Sequence, residues 1–249
     1  MPEISLEAFL ILEVIVLAAS TTVGITSFGF GTIMSPLFLI FLDSKLVVEL
    51  NVALFAILMM TVSYQSRKDI DKSLIIILTI AALTMIPLGT LVIKILDDSS
   101  LRFLIIGVVL VMAILPISGL RYKFKKEKLV ATPLGAMLGF LYSSVALGGP
   151  IFVLFAFNQG WRKQRTRANL STLFAVVGIL VLIYHVFSGL YGISELIATA
   201  LFVPPLALGS IIASRLIYHV NERIFRIAVY IVLFSSSIGI LVKELYLIL

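Results

Sequence analysis

The sequence predicts an all-α, polytopic membrane protein, and three observations support this fold class. The 249-residue chain is 61% hydrophobic with a mean hydropathy of +1.17, whereas a soluble domain is usually about 45–50% apolar. Charged residues make up only 13% of the chain. Several apolar runs reach the roughly 20 residues that a helix needs to cross a bilayer. A chain of this size cannot bury so much apolar surface in its own core, so lipid must be part of its solvent.

The first apolar run, residues 6–42, predicts a helical hairpin. The segment SFGFGT at 27–32 interrupts the run and leaves a long first arm and a short second arm at about 32–42. An arm of about ten residues is too short to cross a bilayer, so it is expected to be a re-entrant half-helix. Three uninterrupted spans follow this hairpin, at 45–66, 74–95 and 101–120.

The second half of the chain repeats this pattern. Residues 129–158 form an apolar run that LGGP at 147–150 interrupts, and three spans follow at 168–188, 194–216 and 223–247. Gly29 precedes Gly148 by 119 residues, and the tripeptide LFA recurs at the same spacing, at 54–56 and 173–175. The sequence therefore predicts one transmembrane domain made of a first repeat, 1–122, and a second repeat, 123–249.

The distribution of basic residues predicts how the repeats are oriented. Four loops hold 15 of the 19 Lys and Arg residues, and such loops favour the cytoplasmic side. Two of these loops flank the same interrupted segment, so both are cytoplasmic only if that segment enters the membrane and returns. The two repeats are then inverted. The protein is expected in the cell inner membrane, with its N-terminus on the side opposite the cytoplasm. The alternative is eight simple spans in two parallel halves, which places two of the basic loops outside. The four loops are 67–73, 121–128, 159–167 and 215–226.

The two interruptions predict a binding site near the membrane midplane. In the inverted arrangement they enter from opposite faces and can meet, as in many secondary transporters. The short arms would then direct helix N-termini, with free N–H groups and about half a positive charge each, at an anion, and Pro150 suits a first helical turn. Helix packing is the alternative role for each Ser and Thr. The candidate substrate-binding residues here are Thr26, Ser27, Gly29, Gly31, Thr32, Ser143, Ser144, Gly148, Gly149 and Pro150.

A few further polar residues fall within the apolar runs. Asn51 and Asn169 lie near the starts of equivalent spans, where each either coordinates substrate or joins two helices. His185 near a span end is expected to be an interfacial residue rather than a proton relay. Whether Glu13 or His185 takes part in proton coupling stays open at this stage.

The sequence argues against several classes of protein. It has no P-loop, zinc or catalytic-triad pattern, so neither an enzyme nor a metal site is expected. It has no cysteine, which excludes disulfides and thiolate ligands. No cofactor and no nucleic-acid partner are expected, because topology explains the basic loops. The expected partners are a small anionic solute and the lipid bilayer, and an assembly of identical copies is compatible with the sequence.

Three motifs resemble the TauE/SafE family of sulfite and organosulfonate exporters. They are SFGFGTIMSP at 27–36, ALGGPIF at 146–152 and RTRANLSTLF at 165–174, and the LGT and LGS segments at 88–90 and 208–210 add to the match. The resemblance implies a secondary transporter of a small sulfur-containing anion, such as sulfite, thiosulfate or an organosulfonate, working by alternating access. The residues alone lead only to a small anion at the midplane. An anion channel of the same architecture and a membrane accessory protein without its own solute are the alternatives.

Overall fold

A computed structural model describes residues 5–114, 126–221 and 223–225 of the chain, and in this part it contains helices and no strand. Six of the helices are long and apolar enough to cross a membrane, which confirms the all-α polytopic fold class. The predicted span 223–247 lies almost wholly outside the described residues. The helices are α1 Leu6–Thr26, α2 Phe30–Phe38, α3 Ser44–Ser66, α4 Lys72–Ile95, α5 Asp98–Ile114, α6 Glu127–Val145, α7 Gly149–Asn158, α8 Lys163–Phe187 and α9 Ile193–Leu216.

Each interrupted apolar run contains one long and one short helix. In the first, α1 has 21 residues and α2 has nine; in the second, α6 has 19 and α7 has ten. At 1.5 Å per residue the short helices are only about 14–15 Å long, roughly half of the hydrocarbon thickness. Neither short helix is long enough to cross a bilayer by itself.

One end of the helix bundle collects the described parts of the basic loops. Arg165 at the start of α8 lies 3.2 Å from the Asp71 carboxylate before α4 and 3.3 Å from that of Glu127 at the start of α6. Trp161 donates a hydrogen bond of 2.6 Å to Glu127, and Lys163 donates one to the carbonyl group of Ile217, beyond α9. We call this end of the bundle the basic end.

At the opposite end of the bundle, hydrogen bonds connect α2, α3 and α5. The backbone N–H and the hydroxyl of Ser44, which starts α3, each donate a 2.6 Å hydrogen bond to the Asp98 carboxylate at the start of α5. Arg102 on α5 donates to the carbonyl groups of Leu39 and Leu42, just after α2. These contacts hold the second arm of the first hairpin against the following spans.

Small residues bring the long arms close to spans of the other half. A Cβ atom at Gly139 on α6 would lie only 2.0 Å from the carbonyl oxygen of Ala82 on α4. On the other side of the bundle, a Cβ atom at Gly24 on α1 would lie 2.5 Å from the Cβ atom of Ala213 on α9. Such close contact between backbones is typical of membrane helices with small residues at the interface. Each long arm is thus packed against a span from the other half of the chain, while α3 and α8 pack on each other in the centre.

Candidate functional site

The two interruptions lie in contact with each other in the interior of the bundle. A Cβ atom at Gly149 would lie 3.0 Å from the Cβ atom of Phe28 and 3.2 Å from the backbone nitrogen of Gly29. A Cβ atom at Gly31 would lie 2.6 Å from the carbonyl oxygen of Ala146. No larger residue fits at Gly31 or Gly149 without moving the other hairpin.

The two interruptions also share a backbone conformation. Ser27 and Ala146, which end the long arms, both adopt the left-handed region, with φ of 65° and 56°. Gly29 and Gly148, two residues further on, have φ of 93° and 152°. A left-handed non-glycine residue costs roughly 1–2 kcal/mol, so the fold stores strain at equivalent positions of both hairpins.

A void of about 10 Å³ lies where the two interruptions meet. Aromatic rings line it as well: Phe30 stacks on Phe55 with ring centres 5.8 Å apart, and the ring centre of Phe174 lies 5.0 Å from that of Phe55. Tyr142 lines the same void and is 1% exposed. Its hydroxyl has no hydrogen-bond partner among the described residues.

Six of the predicted site residues line this void, and they belong to both hairpins. The N-termini of α2 and α7 therefore face one point, and among the described residues no side chain caps either of them. Pro150 lies in the first turn of α7, as its fixed φ favours. The six residues are Gly29, Gly31, Thr32, Gly148, Gly149 and Pro150.

The other predicted residues of the two interruptions are buried near the void. The hydroxyls of Thr26, Ser143 and Ser144 donate to carbonyl groups of their own hairpin. The hydroxyl of Thr32, which does line the void, donates to the carbonyl group of Gly29 at 2.7 Å. Ser27 differs, because its buried hydroxyl has no partner in the described part of the chain.

The two predicted asparagines lie away from the void and join helices. Asn51 donates to the Ser35 hydroxyl at 2.9 Å and so links α3 to α2. Asn169 accepts a 2.8 Å hydrogen bond from the backbone N–H of Asp71 and donates to the carbonyl group of Arg165. In this structure both side chains therefore act in helix packing.

The expectation that His185 is an interfacial residue is wrong. Its side chain is fully buried, and Nδ1 lies 2.9 Å from the Glu49 carboxylate on α3. Its Nε2 lies 3.2 Å from the carbonyl oxygen of Ser143 on α6. The sequence position near a span end was misleading because α3 and α6 cover this part of α8.

A second buried polar contact crosses α3 and α8 near the basic end. Arg167, 7% exposed, donates to the Gln65 side chain at 2.9 Å and to the carbonyl oxygen of Gly24 on α1 at 3.2 Å. Its Nε has no partner among the described residues. The sequence predicts Arg167 as part of a basic cytoplasmic loop, but its place within RTRANLSTLF, next to an apolar run, is a signal for burial.

Two larger cavities open near the ends of the bundle. One of about 340 Å³ at the basic end is lined by Gln65 and Arg167, among others. The other, about 480 Å³ at the opposite end, is lined by Lys45, Asp98 and Glu195, among others. We call them the basic and the opposite vestibule.

Fold and site together define a class of protein: a polytopic α-helical membrane protein in which two interrupted hairpins meet at one interior point. A family model described as Sulfite exporter TauE/SafE matches residues 12–240, nearly the whole chain. The chain therefore belongs to the TauE/SafE family, and the resemblance noted from its motifs is confirmed. Searches of curated proteins and of solved structures returned no match.

Membership in this family assigns the chain to membrane transporters of sulfur-containing anions. These are transporters rather than enzymes, which agrees with the expectation that the chain has no catalytic role. In the part of the chain that the structure describes, no group of His, Asp and Glu residues is suited to hold a metal ion.

Proposed function

We propose that this protein is a secondary transporter that moves sulfite, thiosulfate or an organosulfonate by alternating access. The observation that carries this proposal is the meeting of the α2 and α7 N-termini at one interior void. Helix N-termini bind oxyanions through free N–H groups and a partial positive charge. Family membership supplies the sulfur chemistry of the substrate.

The lining of the void suits an anion that must be released again. Among the described residues its lining has no Lys, Arg or His side chain, so the donors on the lining residues are backbone amides and the hydroxyls of Thr32 and Tyr142. A fixed buried cation would form a strong, charge-assisted contact with the anion. Neutral donors bind more weakly and favour turnover.

The size of the void supports a moving transporter over an open channel. At about 10 Å³ it has room for roughly one water molecule, which is less than a sulfur atom with three oxygens requires. The two hairpins must therefore separate before the anion binds, and the vestibules at the two ends provide routes toward the void.

We further propose that the first and second repeats, 1–122 and 123–249, are inverted and that the basic end is cytoplasmic. Exchanged packing supports the inversion: α1 packs on α9 as its counterpart α6 packs on α4. The matching left-handed residues at the two interruptions support the equivalence of the two repeats. The concentration of Lys and Arg supports the orientation.

Cysteine labelling in intact cells tests this orientation, because the chain has no native cysteine. Arg162→Cys at the basic end should react only with membrane-permeant reagents, and Asp97→Cys at the opposite end should react with impermeant ones. Both positions are exposed in the structure. The reverse pattern would place the basic end outside and contradict the proposal.

Flux measurements in proteoliposomes test the transport function. We expect saturable uptake of at least one of sulfite, thiosulfate and a small sulfonate. Gly149→Leu should abolish it, because the new side chain fills the contact between the hairpins. Gly107→Leu is the matched control, since a Cβ atom at Gly107 meets nothing within 4 Å.

Three results would count against this function. Equal transport by the Gly149→Leu and wild-type proteins would remove the interruptions from the mechanism. Linear, non-saturating flux would indicate an anion channel, and no flux of any of the three anions would leave an accessory protein as the better description.

A further inference from the structure

The Glu49–His185 pair joins three helices in the interior of the protein. Glu49 on α3 is 2% exposed and His185 on α8 is fully buried, and Nδ1 lies 2.9 Å from the carboxylate oxygens. The other ring nitrogen faces the carbonyl oxygen of Ser143, at the end of the long arm α6. Ionisable residues inside a membrane are costly and usually functional.

The geometry of the pair requires two protons on its hydrogen-bonding atoms. A carbonyl oxygen only accepts, so Nε2 must carry a proton to bond to Ser143. A proton must also lie between Nδ1 and the carboxylate, since a bare ring nitrogen and a carboxylate repel each other. Whether that second proton resides on the ring or on Glu49, the pair as a whole is neutral.

Loss of one proton must break one of the two contacts. If the remaining proton is on Nδ1, the lone pair of Nε2 faces the carbonyl oxygen of Ser143 at 3.2 Å and repels it. If it is on Nε2, the lone pair of Nδ1 faces the ionised carboxylate of Glu49. In either case the pair no longer joins all three of α3, α8 and the end of α6.

The equivalent position in the other half carries a group that does not titrate. Arg167 and Gln65 cross the same two helices near the basic end, and Arg167 donates to the carbonyl oxygen of Gly24 on α1. Gly24 precedes Ser143 by 119 residues, the repeat spacing of the sequence. Because guanidinium stays charged at all physiological pH values, only one of these two contacts responds to protons.

Few other charged or titratable groups lie on the elements around the pair. The phenol of Tyr191, in the loop after α8, interacts electrostatically with Glu49 and donates to Thr199 on α9. Helices α2 and α7 contain no titratable residue. On the parts of the helices away from the basic end, the other groups are Lys45 on α3, Tyr142 on α6, Tyr184 on α8, Glu195 on α9, Lys94 on α4, Asp98 and Arg102 on α5, and Glu7 and Glu13 on α1. Toward the basic end the same helices carry Tyr64, Lys72, Glu127, Lys128, Lys163, Arg165, Arg167 and Arg215.

We propose that Glu49 and His185 together form the binding site for a coupling proton. With the proton bound, the pair holds the end of α6 against α3 and α8 and keeps the central void closed; release of the proton frees α6 to move. Exchange occurs from the opposite vestibule, whose lining includes Lys45, one helical turn before Glu49. This inference rests on the proposed transport function for its coupling role, while the proton site itself can be measured without transport.

Nuclear magnetic resonance of the histidine side chain measures the site directly. The chain has two histidines, so His219→Asn leaves His185 as the only labelled ring. We expect the nitrogen signals of this ring to change with pH as the pair loses the proton between Nδ1 and the Glu49 carboxylate. Glu49→Gln should alter this pH dependence of the ring signals. Glu13→Gln, the matched control, should leave it unchanged. Ring nitrogen signals that stay the same at every pH would overturn the proposal, because loss of the shared proton changes the hydrogen bond at Nδ1 wherever that proton resides.

Proteoliposome assays then measure coupling. In the wild type, a gradient of the transported sulfur oxyanion should drive proton movement detected by a pH-sensitive dye. Glu49→Gln and His185→Gln should lose proton movement but retain exchange of labelled anion for unlabelled anion, which needs no net proton flux. Glu13→Gln should retain both. Using two variants at the pair guards against a fold defect in either one.

The outcomes separate this proposal from the proposed function. Anion transport without proton movement in the wild type would refute proton coupling and leave the transporter intact. A titrating His185 that responds to Glu49→Gln in a protein that moves no sulfur oxyanion would refute the transport function and retain the proton site. Proton movement that persists unchanged in both variants would refute the site.

Discussion

Tyr142 shows at the scale of one residue how the closed site differs from an ordinary core. Its ring packs on Phe174 and Phe55, with centres 5.7 and 6.1 Å away, yet its buried hydroxyl has no partner in the described part of the chain. An unsatisfied buried hydroxyl costs roughly 1–3 kcal/mol. Because Tyr142 lines the void between the N-termini of α2 and α7, we propose that its hydroxyl donates to the bound anion.

Substitution Tyr142→Phe separates stability from binding. The protein should be as stable as the wild type or more stable, because an unpaired polar group is removed from the core. The apparent affinity for anion should fall about ten- to a hundredfold, as expected for losing a hydrogen bond to a charged group. Thermal unfolding and concentration-dependent uptake measure the two effects.

Tyr64→Phe serves as the matched control for this substitution, because Tyr64 is 70% exposed at the end of α3. It should change neither property. Unaltered anion affinity in Tyr142→Phe would mean that this hydroxyl does not meet the substrate.

At the scale of the element, the long arm α6 is positioned by glycines that contact α4. Gly135 and Gly139 are one turn apart, and Cβ atoms there would lie 2.4 and 2.0 Å from carbonyl oxygens of Leu78 and Ala82. Backbone atoms cannot yield as the end of a side chain can. The glycines therefore set how closely α6 approaches α4.

Gly139→Ala should lower the stability of the detergent-solubilised protein by about 1–3 kcal/mol, the usual cost of overpacking. Gly107→Ala should have little effect or stabilise α5 slightly, because its Cβ atom meets nothing within 4 Å. Thermal unfolding of the two variants measures the effect of adding the same methyl group to α6 and to α5. Equal melting temperatures would show that α6 can withdraw from α4 without cost.

The junction of α3 and α5 should depend on acid pH through Asp98. Burial alone would raise the pKa of Asp98, but hydrogen bonds from Ser44 and the charge of Arg102 outweigh it and hold the pKa below its usual value. A depressed folded-state pKa gives stability that is present above the unfolded value and is lost as pH falls through the folded one. Melting temperatures should therefore decline below about pH 4.

The Asp98→Asn variant tests this assignment, because an amide oxygen can still accept from Ser44 but does not titrate. Its melting temperature should fall less steeply than that of the wild type over the same acid range. An identical acid response in both proteins would assign the decline to other carboxylates.

At the scale of the whole molecule, hydropathy predicted the hairpins and spans because lipid forces every exposed segment to be apolar and helical. The interruptions were visible as glycines within apolar runs, and six of the candidate residues line the void. The role of the hydroxyl groups was harder to predict, because Thr26 and Ser143 bond to their own helices. Contacts such as Glu49 with His185, 136 residues apart, follow from the packing of α3 on α8, which no local pattern encodes.

The packing of α3 on α8 also provides a test of motion between the two halves. Near the basic end, the hydroxyl oxygens of Ser63 on α3 and Thr172 on α8 lie 2.7 Å apart. Sulfur atoms at these two positions would be near enough to form a disulfide bond, whose S–S length is roughly 2.05 Å. The chain has no native cysteine that could form other disulfides. In the double variant Ser63→Cys/Thr172→Cys, oxidation should stop anion transport and reduction should restore it, because alternating access requires this end to open.

The single variants, treated with the same oxidant, should transport normally. Full transport by the cross-linked protein would mean that α3 and α8 move as one body and that opening occurs at the hairpins alone.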